Sequence, residues 1–398
     1  MLFTFVVLFL TLGFDLAYGQ EQKENEKVTV TLDFSKKGAF GLKNNTSQSV
    51  LTDITFKVQD LSVSLTGYTC HYIGTNKYLR LDYDANHPGQ LQISVPKPIV
   101  IDSITMRTTK GIFIKYNNKF LSATEKKPIV ESINSNNITL TESKKTGESL
   151  SSYITSITLT ITRPKLDATL DEKAFDAEST IKGIVGENKT LALNRTFNPS
   201  QLYTMCLPFD LSKDMITEIF GNETKVFLYD GYQNGELSFS TVKESVLNAG
   251  MPFLMRPEYY VEQPTFAGVT VESTTAQTVG GGEWDLCGTF GSYELAADGT
   301  QLFLTADGTL AKPKVGSQKM RGFRCYLKKA TGTANASAQL PSVTIDGETN
   351  AIKTAEYAAP TSGTTAYSLS GMKLNAGCKT ANGGIMIIDG KKFITTNR

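Results

Sequence analysis

Cys206 lies in RTFNPSQLYTMCLPFD, Arg195 to Asp210, between a tyrosine and a Pro-Phe turn and downstream of an arginine. A thiol in such a run can be a nucleophile, a disulfide partner or a core residue. Nucleophilic use needs a base within hydrogen-bond reach, usually histidine. The chain has two histidines, His71 and His87, both far upstream. Cys70 adjoins His71, but neighbours on a strand point to opposite faces. No G-x-S-x-G elbow occurs. S-x-x-K at Ser179, Ser240 and Ser370 lacks the S-D-N and K-T-G partners of the acyl-transfer set. Cysteine or serine hydrolase chemistry is not expected.

Metal chemistry fares no better, because two histidines without H-E-x-x-H leave few zinc ligands. Asp82-Tyr83-Asp84-Ala85-Asn86 begins like a calcium loop. His87 then stands at the sharp-turn glycine and Ile93 at the bidentate glutamate, so a strand end entering a Pro88-Gly89 turn is the better reading. No metal and no cofactor is expected. Glycoside hydrolysis needs only two carboxylates. Glu258 beside Tyr259 and Tyr260 is the nearest approach to an acid among aromatic residues, but a solvated loop after Pro257 is the better reading, because exposed acids are the usual case.

Binding is the remaining class. On a strand, Tyr78, Arg80 and Asp82 share one face, opposite Leu79, Leu81 and Tyr83. With the leucines in the core, an aromatic ring, a cation and an acid would stand together outside, suited to a sugar ring or a protein surface. An ordinary solvated sheet face is the plainer alternative. Trp284, after three glycines, is another candidate, or a cap on the core beside Leu286. Tyr78, Arg80, Asp82, Tyr259, Tyr260 and Trp284 are therefore the expected ligand contacts.

The elements that must position these residues are strands. Val28, Val30, Leu32 and Phe34 alternate with polar residues, as do Leu91, Ile93 and Val95, and Ile157, Leu159 and Ile161. Asp230-Gly231, Asn234-Gly235, Asp298-Gly299, Asp307-Gly308, Asp346-Gly347 and Asp389-Gly390 are turn signals. The pattern predicts an all-β chain of tandem sandwich-like domains with few short helices. One helix is expected after Ser212, with Met215, Ile216, Ile219 and Phe220 on one face and Gly221 as the stop. A second is expected near Val242 to Asn248. Leu202 to Leu207 has the length of a buried strand that Pro208 limits.

At 398 residues the chain exceeds one ordinary domain. Residues 1–19 read as a signal peptide, with an apolar Leu2 to Leu12 run and Ala17-Tyr18-Gly19 before the cut, although no basic residues precede the run. That run is too short to span a membrane, and none elsewhere comes close. A first β domain is expected over 21–163, a second over 166–352, a small, polar linker over 353–366 and a glycine-punctuated β tail over 367–398. Lys+Arg at 40 against Asp+Glu at 39 leaves no field to attract nucleic acid. The five cysteines show no C-x-x-C spacing, and isolated cysteines in apolar runs read as buried small hydrophobes. Cys325 shares a face with Phe323 and Leu327. If it lies on a strand next to Cys206, a bridge is open to the pair.

Asn194-Arg195-Thr196-Phe197, Tyr203-Thr204-Met205-Cys206-Leu207-Pro208-Phe209-Asp210, Ala249-Gly250-Met251-Pro252-Phe253-Leu254-Met255-Arg256-Pro257 and Arg321-Gly322-Phe323-Arg324-Cys325-Tyr326 follow in order through the second domain. In this the domain resembles a module common in exported proteins of Bacteroidetes. That family usually has a tryptophan early in the cysteine motif, and alanine where Cys325 stands. Ala366-Tyr367-Ser368-Leu369-Ser370-Gly371-Met372-Lys373, then Gly384-Ile385-Met386-Ile387-Ile388-Asp389-Gly390-Lys391-Lys392, is similar to type IX secretion sorting tails. Tyr78-Leu79-Arg80-Leu81, Leu91-Gln92-Ile93-Ser94 and Ile101-Asp102-Ser103-Ile104-Thr105 look like N-terminal β domains of similar proteins.

These resemblances imply export to the cell surface or medium, with the secretion machinery as a partner through the tail, but no chemistry. The resulting expectation is a secreted or surface-displayed, non-catalytic binding or adhesion protein that recognises a glycan or a host or neighbouring-cell protein. A structural surface protein without a small ligand is the first alternative, and a glycan-processing enzyme the second.

Overall fold

The computed structural model describes residues 24–43, 50–72, 77–109, 114–117, 119–121, 129–143, 151–199, 201–242, 246–272, 275–314, 319–330, 340–349, 366–368, 373–374, 385–388 and 391–394. The fold is all-β. The expected signal peptide, almost all of the linker and the Asp389-Gly390 turn lie outside the described residues.

The first unit is built from β1 (Asn25–Asp33), β2 (Val50–Val58), β3 (Leu61–Tyr72), β4 (Tyr78–Asp82), β5 (Gln90–Ser94), β6 (Val100–Thr108), β7 (Ile114–Tyr116), β8 (Lys119–Phe120), β9 (Ile129–Ser135), β10 (Asn137–Glu142) and β11 (Ser151–Pro164). Two long strands organise it. β3 pairs with β2 and β5 along its first half and with β4 at its end. β11 pairs with β4 at its start, then with β1 and β6. The short β4 lies between β3 and β11 in one continuous sheet, and alternate residues of its long strands fill a core. Val30, Leu32, Leu91, Ile93, Ile157, Leu159 and Ile161 are all buried there, as their alternation predicts.

The Pro88 turn sits against β3 at Gly67. A Cβ on Gly67, whose φ is 71°, would fall 2.2 Å from the Pro88 oxygen, so only glycine lets the turn sit on β3. Asp84 Oδ1 accepts from the backbone N–H of Asn86 and His87 at 2.9 and 2.8 Å, which is a self-contained turn after β4.

The second unit has three layers. A six-stranded sheet in the order Tyr203–Cys206, Pro252–Arg256, Lys225–Gln233, Glu236–Thr241, Ser342–Ile345 and Glu348–Thr349 lies in the middle. Val226, Phe253 and Met255 join a core with the three-stranded sheet Ala168–Asp171, Gly186–Asn194 and Thr265–Val271. Phe227, Leu254 and Phe239 face a second core against the sheet containing Trp284–Thr289 and Arg324–Lys329. A central sheet with two dry faces needs continuous apolar runs, which is why Tyr203–Cys206 is buried at every position.

The helix after Ser212 forms as expected. α2 (Lys213–Phe220) is capped by Ser212 Oγ, which accepts from Met215 N at 3.2 Å, and Gly221 ends it at φ 109°. The preceding helix α1 (Ala177–Gly183), capped by Asp176, was not anticipated. The helix expected from Val242 does not form through Val246–Leu247. Those two residues are extended and pair with Leu211–Ser212, because tertiary pairing overrides a weak local preference. Asn234-Gly235 and Asp346-Gly347 make hairpin turns with both φ values positive. Asp230-Gly231 is not a turn but a bulge within Lys225–Gln233, where Ser240 Oγ donates to Asp230 Oδ1 at 2.8 Å.

One strand belongs to both units. Tyr260–Glu262 runs parallel to Phe56–Val58 of β2 and antiparallel to Thr196–Phe197. Tyr260 packs on the first unit's core and Val261 lies in the second's. The segments Ala366–Ser368, Lys373–Leu374, Ile385–Ile388 and Lys391–Ile394 form a separate four-stranded antiparallel sheet.

Candidate functional site

The structure distributes the six expected contacts over three places. On β4, Leu79 and Leu81 are buried, Tyr78 and Arg80 are half-buried, and Asp82 is buried rather than outside. Arg80 clamps Asp82 through Nε and Nη2 at 2.9 and 2.8 Å, and Ser151 Oγ donates to the same carboxylate. Tyr78 sets its ring edge-on to Tyr153, with centroids 4.8 Å apart. The trio is a closed ion pair beside an aromatic pair, with little left for a ligand.

Tyr259 and Tyr260 lie at the junction of the units. Tyr260 meets Phe40 edge-on at 6.0 Å and donates to Glu262 Oε2 at 2.9 Å; burial and Glu262 push its phenol upward. Trp284 is only 5% exposed and packs with Leu286, Leu302 and Leu327, so it is a core residue and presents no face to solvent.

Cys206 and Cys325 are both core residues and both free. Cys206 Sγ donates to Gly250 O at 3.2 Å, and Cys325 Sγ reaches Phe253 O at 3.7 Å. Burial raises both thiols, Cys325 to about 12. Neither is a thiolate at neutral pH, so neither is a nucleophile. His71 holds Lys43 O through Nδ1 at 2.6 Å, while Cys70 is paired across to Arg80. We expect Cys70, Cys206, Cys287 and Cys325 to resist a disulfide reagent at pH 8 in the native protein and all four to react after unfolding. Fewer than four reactive thiols from these positions, read by mass spectrometry of the labelled peptides, would reveal a bridge.

The arginine that opens the cysteine motif has a different role. Arg195 is 4% exposed, with its guanidinium 5.1 Å from the ring centroids of both Phe197 and Tyr203. Nη1 donates to Thr204 O at 3.0 Å, while Nε lies 3.7 Å from Glu172 Oε2. Glu172 also accepts from Arg321 and, at 2.6 Å, from Arg324. Three guanidinium groups thus share one buried carboxylate. Arg195 Nε and Nη2 and Arg324 Nε are buried without a hydrogen-bond partner. Burial, and then repulsion from Arg324, pull the Arg195 guanidinium down to about 9.

Among the described residues, a cleft of about 500 Å³ lies between the units. Leu61, Val95, Pro96, Ile99 and Val261 give it an apolar lining, and Met215 and Ile219 of α2 extend it. Some of its charged side chains are already engaged. Arg163 bonds Asp60 at 2.6 Å and Glu26 at 2.9 Å, and Lys57 Nζ donates to Glu218 O on α2. Burial draws Lys57 below the ordinary lysine value, against the pull of Glu218. Gln59 Nε2 reaches Gln263 Oε1 at 3.3 Å, leaving Gln59 Oε1 and Thr265 Oγ1 as buried polar atoms on the wall without partners. Sequence reasoning missed the cleft because its walls come from segments far apart in the chain.

Fold and cleft together define a two-unit, all-β protein whose units share a strand and enclose a largely apolar groove with a few polar anchors. No protein-family model, curated protein or solved structure matches the chain.

Proposed function

We propose that the protein is an exported, non-catalytic binding and adhesion protein that seats part of a glycan or of a neighbouring cell's protein in the cleft between its units. The cleft carries this reading: a mostly apolar groove between the units suits recognition, and of its two acids, Asp60 and Glu218, Asp60 is tied to Arg163. Export to the surface or medium rests on the signal-like 1–19 segment and on the tail's similarity to sorting tails.

The test uses the full chain on a glycan array and on immobilised collagen and fibronectin. Ala267 lines the cleft and is exposed, so Ala267→Trp fills the groove without disturbing a core. A ligand found on either panel should lose roughly tenfold or more of its affinity, equivalent to about 1.4 kcal/mol. Binding that is indifferent to Ala267→Trp would place recognition elsewhere. Silence on both panels would favour a structural surface protein.

A further inference from the structure

Among the described residues β1 pairs with β11 alone, in an unbroken antiparallel register from Asn25 opposite Pro164 to Asp33 opposite Ser156. The two ends of that ladder fix the direction of its backbone groups. Phe34 N donates to Thr155 O and Lys165 N to Glu24 O, both at 2.9 Å. With no bulge between, the even-numbered residues of β1 hydrogen-bond to β11. Lys27, Thr29, Thr31 and Asp33 therefore turn their N–H and C=O groups away from it. The burial pattern agrees: Val30 and Leu32 are 2% and 0% exposed, whereas Lys27, Thr29 and Thr31 are open to solvent.

Sheets usually blunt such an edge with proline, a bulge or charged side chains. From Asn25 to Asp33 there is no proline and no register shift, and the strand is rich in valine and threonine. A long, straight edge with free donors and acceptors is a template for another strand. This one fits itself. Laid antiparallel on a second copy, with a two-fold axis through Val30, it sets Lys27 opposite Asp33 and Thr29 opposite Thr31, so every outward-pointing residue between them enters the ladder. The same register sets Val30 against Val30 and Val28 against Leu32, on the face that carries the first unit's core. Centred on Thr29 instead, the pairing would place Lys27 opposite Thr31 and lose the charge match. Within the chain Lys27 meets Asp102 at 3.6 Å and Asp33 meets Lys36 at 3.7 Å, with both lysines largely exposed. Such pairs hold little energy and leave the charges free to match across the axis.

We infer that β1 is the contact through which two copies of this chain pair, joining the strands β6, β11 and β1 of one to those of the other in a continuous sheet. No residue of β1 lines the cleft, so the pairing stands whether or not the cleft takes a ligand.

The experiment is sedimentation equilibrium of the full chain over a range of concentrations. The parent should dimerise reversibly. Lys27→Asp sets like charges opposite each other twice across the axis, as does Asp33→Lys, and each should weaken the dimer roughly tenfold. Mixed in equal amounts, the two variants should restore it, because each then meets the opposite charge. Thr29→Pro removes an N–H that points away from β11 and should give a folded monomer, while Thr29→Val keeps that N–H and should dimerise like the parent. Should Thr29→Pro fail to fold, the mixture decides alone. A parent that stays monomeric, a dimer that a folded Thr29→Pro leaves intact, or a mixture no tighter than its components would overturn the proposal.

Discussion

Glu172→Gln is expected to lower the unfolding free energy by about 3 to 5 kcal/mol, because it strands a buried charge. Arg195 is enclosed between Phe197 and Tyr203, and Glu172 is the carboxylate that offsets it. Burial opposes the negative charge on Glu172. Arg324 and then the hydrogen bonds from Arg321 and Arg324 outweigh burial and hold the carboxyl below its ordinary value. A depressed carboxyl stabilises the fold above the ordinary carboxylate range, and that contribution is lost as pH falls through the folded value. Parent protein should therefore lose stability on acidification more steeply than Glu172→Gln. Arg195→Met removes the charge itself with a side chain of similar length, and two of its nitrogens had no partner to lose. It should cost far less than Glu172→Gln. Urea melts of the parent and both variants at neutral and acid pH decide the matter, and equal losses for the two variants would overturn the account.

The second large effect has the opposite sign. Glu142, the last residue of β10, is 1% exposed, and neither carboxyl oxygen has a partner in bonding geometry. Burial raises its carboxyl from 4.5 to about 8; Ser152 pulls it back and Asp82 pushes it further up. The folded chain thus holds a proton that the unfolded chain releases above pH 4.5. Stability must fall as pH climbs from 4.5 to about 8 and level off beyond. At about 1.4 kcal/mol per pH unit the full fall is on the order of 4 to 5 kcal/mol. Glu142→Gln keeps the shape and removes the titration. It should be more stable than the parent at pH 8 by a few kcal/mol and show a flatter profile from pH 5 to 8. Parallel profiles for parent and variant would refute the assignment.

Neither effect was visible in the sequence. Glu172 and Arg321 are 149 residues apart and Glu172 and Arg324 are 152 apart, and nothing local marks them as partners. Glu142 closes a regular alternation, Ile138, Leu140, Glu142, and occupies the third core position. The alternation fixed its direction, but a glutamate there suggests a strand end rather than a buried acid. Local chemistry was readable where it depends on a few adjacent residues, as in the Ser212 cap, the Gly221 stop and the Asn234-Gly235 turn. It misled where a neighbouring strand decides. Asp230-Gly231 has the same signature as Asn234-Gly235, yet Ser238 across the ladder makes it a bulge. On β4, Asp82 is buried rather than outside because it takes Arg80 and Ser151 while the strand is paired with β3 on one side and β11 on the other.

The strand Tyr260–Glu262 fixes more than the relative position of two cores. A hinge between the units would have to break its ladder to β2 or its ladder to Thr196–Phe197. Lys57, in the β2 segment of that ladder, also holds α2 through the Glu218 carbonyl, so floor and wall of the cleft are fastened to each other. The groove is therefore a socket of constant aperture. A visitor finds its shape already set, and the entropy of arranging the walls was spent when the chain folded, not at the moment of capture.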